Sequence, residues 1–131
     1  MVKRVMFVCK KNSSRSQMAE GFAKQLGSGQ IEVVSAGLEA SSVRPEAIKT
    51  MADVGIDITH QTSDALSDFK AEDFDAVISL CGCGVNLPEA WTQSAYFDDW
   101  ALEDPAERPE IFPEIRDEIK KKVSALIDRL N

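Results

Sequence analysis

Val5-Met6-Phe7-Val8-Cys9-Lys10-Lys11-Asn12-Ser13-Ser14-Arg15-Ser16 passes from an apolar run into a polar loop and straight on into a helical pattern. Val2–Val8 reads as a strand buried on both faces, because its apolar residues do not alternate with polar ones. From Ser16, the residues Met18, Ala19, Phe22, Ala23 and Leu26 recur at three- and four-residue spacing, and Gly27 is a natural helix stop. Asn12, Ser13, Ser14 and Ser16 are poor core residues and good loop and cap residues. The stretch is therefore a strand, a tight polar loop and a helix, with a cysteine at the strand exit and an arginine at the helix entrance.

The same alternation continues outward. Ile31–Ala36 reads as a second strand ending at Gly37, and Pro45 opens a second helix with Ile48, Met51 and Ala52 on one face, closed by Gly55. Ala65–Ala71 reads as a short helical or turn segment. Phe74–Leu80 is a third buried strand running into Cys81-Gly82-Cys83-Gly84, and Ser94–Phe97 reads as a short fourth strand. The last helix covers about Glu110 to Leu130, with Phe112, Ile115, Ile119, Val123, Leu126 and Leu130 as its apolar stripe. Strands alternating with helices predict an α/β fold with a parallel sheet covered on both faces. Sites in such sheets form beyond the carboxyl ends of the strands, at a switch in strand order. Cys9 and Cys81 are accordingly expected on one rim.

At 131 residues the chain has room for one domain spanning 1–131 and can bury roughly 68% of its unfolded surface without a metal or disulfide staple. Its 44% apolar and 28% charged content reads as globular. A net charge of −7 argues against broad nucleic-acid binding. It also repels anions at long range, so an anionic substrate needs a local positive site, which Lys10, Lys11 and Arg15 supply. Val5–Val8 is too short for a secretory core and no segment reaches membrane-spanning length, so a cytoplasmic location is expected, without membrane contact. Three cysteines, an odd number, read in a reducing compartment as reactive thiols rather than a disulfide framework.

The chemistry suggested at Cys9 is that of a thiolate in an anion cradle. Loop and helix-start N–H groups over Cys9–Ser16 can converge on a tetrahedral oxyanion, and the Arg15 fork can hold two of its oxygens. The positive potential is expected to favour the thiolate, with the Ser16 hydroxyl donating to it. Phosphoryl transfer and redox chemistry both remain open. A proton donor for a departing oxygen could be any of Asp98, Asp99, Glu103 or Asp104. Cys81 and Cys83 could be inert residues of a tight turn. A zinc site of the three cysteines with His60, the only histidine, has no typical ligand spacing.

The segment from Cys9 to Phe22 resembles the active-site segment of the low-molecular-weight protein tyrosine phosphatase superfamily, and Arg15-Ser-Gln-Met-Ala-Glu-Gly21 is similar to its arsenate reductase branch. Ser35-Ala-Gly37, Val54-Gly-Ile-Asp-Ile58, Val77-Ile-Ser-Leu-Cys-Gly-Cys83 and Asp104-Pro105 extend the likeness over nearly the whole chain. The resemblance implies a three-layer sandwich around a four-stranded parallel sheet, with the loop Cys9–Arg15 as oxyanion site and Asp104 as general acid. It implies reduction of arsenate to arsenite, with phosphate or sulfate competing. Two electrons are needed, which two thiols supply by forming a disulfide; a third thiol passes it outward. Cys9, Cys81 and Cys83 fill those roles, and Gly82 and Gly84 would let the segment move. The close Cys81-Gly82-Cys83 pair looks like the hybrid members coupled to glutathione and glutaredoxin, others using thioredoxin. No tightly bound cofactor is implied. Asn12, Glu20, Ser35 and Asp64 match residues of a monovalent-cation (K+) site in some relatives, although Asn12 also serves as a loop brace. Ser14 stands where many relatives have a further cysteine. The alternative is a phosphoester phosphatase using only Cys9, Arg15 and Asp104; against it, Pro105 is followed by Ala106-Glu107-Arg108 rather than aromatic residues. A non-catalytic oxyanion sensor is the remaining possibility.

Overall fold

The computed structural model describes residues 2–82, 87–105 and 108–130. Its sheet is made of β1 (Lys3–Cys9), β2 (Ile31–Gly37), β3 (Ala76–Ser79) and β4 (Tyr96–Asp99), all parallel, in the order β2-β1-β3-β4. The helices are α1 (Arg15–Leu26), α2 (Pro45–Ala52), α3 (Glu89–Thr92) and α4 (Phe112–Leu130), with short 3-10 turns at Leu66–Asp68, Ala71–Asp73 and Pro109–Ile111.

The apolar run of β1 is buried on both sides, as its composition requires. Val5 and Phe7 join a core with Met18, Phe22, Met51, Ile115 and Ile119, which places α1, α2 and α4 on one face. Met6 and Val8 point the other way and pack with Leu66, Phe74, Val77 and Trp91, beneath α3 and the 3-10 turns. Alternate side chains of one strand thus feed two separate cores, and the result is three layers.

Several expected boundaries shift. β4 lies two residues later than Ser94–Phe97, because Trp100 and Leu102 continue its pairing with the β3 exit: their N–H groups donate to Ser79 O (2.8 Å) and Leu80 O (2.9 Å). α3 has no counterpart in the sequence reading; it is four residues long, too short for a periodic signal, and is held by burial of Trp91. In α2 the buried residues are Ala47, Thr50 and Met51, whereas Ala52 is exposed and Ile48 is half-buried. In α4, Ile127 is buried and Leu130 only partly so, the drift expected when a 3.6-residue helix outruns a seven-residue pattern. Leu26 is exposed at the end of α1.

Strand order reverses direction at β1, which has β2 on one side and β3 on the other. The crevice at this switch point opens at the carboxyl ends of β1 and β3, where the chain places Cys9 and Cys81. Val8 stands opposite Ser79 in the β1–β3 register. Among the described residues no helix is long and apolar enough to cross a membrane.

Candidate active site

The loop between β1 and α1 is shaped by what its carbonyls do. The carbonyl of Cys9 accepts from Leu38 N–H and that of Lys10 from Glu39 N–H, both at 3.2 Å. Lys11 O accepts from Ser63 Oγ at 3.2 Å and Asn12 O from Gln17 Nε2 at 3.0 Å. Ser13 O accepts from Arg44 N–H at 2.8 Å and Ser14 O from Met18 N–H at 2.9 Å. Every carbonyl from Cys9 to Ser14 is thus drawn outward to the scaffold. Planar trans peptides then turn the intervening N–H groups toward the loop centre, an anion-binding nest. Two of these amides, those of Lys10 and Ser16, hydrogen-bond the Cys9 sulfur.

Asn12 adopts the left-handed conformation, φ 50°, which a short polar side chain tolerates. Its Nδ2 donates to Ser35 O at 3.2 Å, and its Oδ1 accepts from Ser16 Oγ at 2.8 Å. The Ser16 hydroxyl is therefore committed to Asn12 and does not reach the thiol; the backbone N–H of Ser16 takes that part. Gln17 reaches from α1 to Asn12 O and Thr62 O, and Gln61 Nε2 in turn donates to Gln17 Oε1 at 2.8 Å. Gly37 makes the close approach possible: a Cβ there would lie 2.7 Å from Asn12 N and 2.8 Å from the Lys11 carbonyl carbon.

Arg15 enters α1 with only 6% of its surface exposed. Its Nη1 donates to Leu102 O at 2.7 Å and its Nη2 lies 3.6 Å from Asp104 Oδ2. Its Nε is buried with no hydrogen-bond partner among the described residues. A cavity of about 230 Å³ is lined by Cys9, Lys10, Lys11, Ser13, Ser14, Arg15, Arg44 and Asp104. An orphaned guanidinium N–H beside a nest of amides fits an oxyanion.

The competing acids separate on geometry. Asp99 Oδ1 accepts from the N–H groups of Gly82 (3.0 Å) and Ala101 (2.8 Å), so it braces the turn that follows β3. Glu103 pairs with Arg108 at 2.7 Å. Asp98 Oδ1 accepts from Asp99 N–H at 2.8 Å. Asp104 alone of the four lines the cavity.

Cys9 is a free thiol, 3% exposed. Burial pushes its pKa up, outweighing the Arg15 charge and the Lys10 and Ser16 amides that pull it down, while Asp104 adds to the rise. The positive potential expected to favour the thiolate is present, but desolvation exceeds it. Cys81 is disulfide-bonded, and Ser79 Oγ lies 3.9 Å from its sulfur. Cys83 and Gly84 lie outside the described residues, as do Ala106 and Glu107.

Of the residues matched to a cation site, Asn12, Ser35 and Glu20 are joined to one another, Asn12 through the Ser35 carbonyl and Glu20 through the Ser35 hydroxyl, and each also has a structural duty. Glu20 is held by Lys24 Nζ and by the Ser35 hydroxyl. The carboxylate of Asp64 accepts from Thr62 Oγ1 at 2.9 Å, and its carbonyl accepts from Gly37 N–H. No group of three or more His, Cys, Asp or Glu among the described residues is arranged to hold a metal. His60 lies on an exposed turn beside Asp57.

The family model for low molecular weight phosphotyrosine protein phosphatases matches residues 4–131. The chain belongs to that family. Within the low molecular weight phosphatase family it is 56% identical to the glutaredoxin arsenate reductase of Synechocystis sp., over 99% of this chain and 100% of that protein. It is 42% identical to an arsenate reductase of Staphylococcus aureus, over 90% of this chain and 91% of that protein. A solved structure of an arsenate reductase in the phosphate binding state superposes with a TM-score of 0.94 at 56% identity, covering 99% of this chain and 100% of that one. These likenesses confirm the four-stranded parallel α/β architecture expected of this phosphatase family.

The sequence reading passed over Arg44. It stands one residue before Pro45, with no spacing relation to Cys9, and only the fold brings it to the cavity wall. Gln17 and Gln61 escaped in the same way, because buried braces leave no local pattern, and Asp99, weighed as a proton donor, proves to be a turn brace. Gly37 was visible as a strand end but not as the point where the loop closes on β2.

Proposed function

We propose that this chain is an arsenate reductase of the cytoplasm that draws its electrons from glutathione through glutaredoxin. Arsenate docks on the inward amides of Cys9–Ser16 and on Arg15, whose buried Nε has no acceptor among the described residues. The Cys9 sulfur forms a bond to arsenic as one As–O bond breaks, and the oxygen leaves as water with a proton from Asp104. The bound oxyanion is itself a base, so the proton of a raised-pKa Cys9 has an acceptor at hand. Cys81 thiolate then attacks the Cys9 sulfur. The S–S bond forms, the S–As bond breaks, arsenic keeps the electron pair and arsenite departs. Cys83 attacks Cys81, Cys9 is released as thiolate, and the Cys81–Cys83 disulfide is reduced by external thiol. Phosphate and sulfate compete for the same cradle. No tightly bound cofactor takes part, and Asn12, Glu20, Ser35 and Asp64 are the residues that would hold a monovalent cation.

One observation favours reduction over ester hydrolysis: Cys81, a disulfide-forming residue, leaves β3 beside the β1 exit that carries Cys9. A phosphatase needs Cys9, Arg15 and Asp104 and has no task for Cys81. The similarity to the Synechocystis glutaredoxin arsenate reductase supports the same choice. In the test, Cys81→Ser binds arsenate with the wild-type affinity but loses at least 100-fold in steady-state reduction with glutathione and glutaredoxin. Full turnover by that variant refutes the relay, and aryl-phosphate hydrolysis exceeding arsenate-dependent thiol consumption in the wild type refutes the reductase.

A further inference from the structure

A second arginine, Arg44, lines the cavity together with Cys9. Arg44 is held there by local chemistry: Pro45 restricts it to extended backbone (φ −70°, ψ 137°), and its N–H donates to Ser13 O at 2.8 Å, tying it to the cradle itself. Its Nη2 donates to Glu46 Oε2 at 3.0 Å, and its Nε is buried with no hydrogen-bond partner among the described residues. Both side chains of this pair are about one-third exposed, so the pair is weak and its cation can be shared with another carboxylate. The amides and Arg15 suffice for a tetrahedral ion. The cavity, about 230 Å³, has the space of roughly seven waters, more than one such ion takes. Lys10, Lys11 and Arg44 line it together with Arg15, four cations around one cavity in a chain of net charge −7.

We infer that Arg44 is a specificity residue for the reductant: it pairs with a carboxylate of a small anionic thiol, glutathione being the cellular example, and seats that thiol at the mouth over Cys9. Resting on the arsenate reductase reading, this deepens it. The seated thiolate takes over the first attack, which Cys81 makes when no thiol is seated, on the Cys9 sulfur of the arsenate adduct. An S–S bond forms, the S–As bond breaks with its electron pair left on arsenic, and arsenite departs. Cys81 thiolate then opens the mixed disulfide at Cys9 and expels the thiol unchanged. Glu46 competes with the incoming carboxylate for the same guanidinium and so sets how tightly the thiol is held.

The test uses the full chain and S-methylglutathione, which cannot form a disulfide, with its diethyl ester as the form without carboxylates, both titrated by calorimetry. The wild type binds the acid about tenfold more tightly than the ester. Arg44→Ala loses about tenfold for the acid and discriminates little between the two, and Arg44→Lys recovers part. Glu46→Gln binds the acid several-fold more tightly, a gain that misfolding cannot produce. In arsenate reduction, kcat/KM for glutathione follows these changes while that for neutral dithiothreitol changes several-fold less. Equal binding of acid and ester, or Arg44→Ala and Glu46→Gln both indistinguishable from wild type, overturns the inference while arsenate reduction by the wild type with dithiothreitol leaves the enzymatic reading standing. If the wild type reduces arsenate with neither thiol, both fall.

Discussion

At the scale of single residues, the site turns on the contest between burial and charge at Cys9. Desolvation holds the thiol in its neutral form, with Asp104 on the same side and Arg15 and two amides opposing. In the free protein, alkylation of Cys9 by iodoacetamide should therefore reach half its limiting rate at a pH above that of an ordinary cysteine. Asp104→Asn removes a negative charge and should move the midpoint down; Arg15→Gln removes a positive one and should move it up. Mass mapping of the alkylated peptide against pH checks both signs, and a midpoint below the ordinary thiol value in the wild type would contradict them. Cys9 and Arg15 were legible in the sequence because a strand exit, a polar loop and a helix entrance fix their places. The Ser16 contact was not: whether a hydroxyl or its own amide reaches a sulfur depends on the competing acceptor, here Asn12 Oδ1.

At the scale of elements, the loop is a passive shape given by its neighbours. β2 ends where Gly37 allows the chain at Lys11–Asn12 to come within backbone contact, and Leu38 and Glu39 then fasten the carbonyls of Cys9 and Lys10. Gly37→Ala sets a methyl against backbone that cannot swing aside, so the loop must shift. The expected result is a fall in kcat/KM for arsenate of at least tenfold, with far-UV circular dichroism unchanged. An unchanged kcat/KM would show that the loop tolerates the displacement. Strands and long helices were legible from their patterns, whereas the four-residue α3 and the exact span of β4 were decided by Trp91 burial and by the hydrogen bonds of Trp100 and Leu102.

At the scale of the whole molecule, two cores on opposite faces of one sheet hold the rim in place. Ile119 is fully buried where α4 packs in the larger core with Val5, Phe7 and Met18. Ile119→Ala should cost about 2–5 kcal/mol, read from denaturant midpoints, while turnover per folded molecule stays within about twofold. A large loss of turnover at full folding would mean that this core tunes the cradle rather than supporting it. The strand order was not legible in the sequence: alternation of strands and helices gives a parallel sheet without saying which strand sits at its middle.

Leu80 is clamped from two sides, its N–H on Val8 O at 2.8 Å and its carbonyl on Leu102 N–H at 2.9 Å. The sheet thus acts as a fixed post, and any swing of the Cys81 sulfur pivots on the few bonds beyond it. Under the proposed relay, electron delivery by Cys81 is therefore a short-armed gesture, starting from a residue anchored to both neighbouring strands' exits rather than from a bending frame.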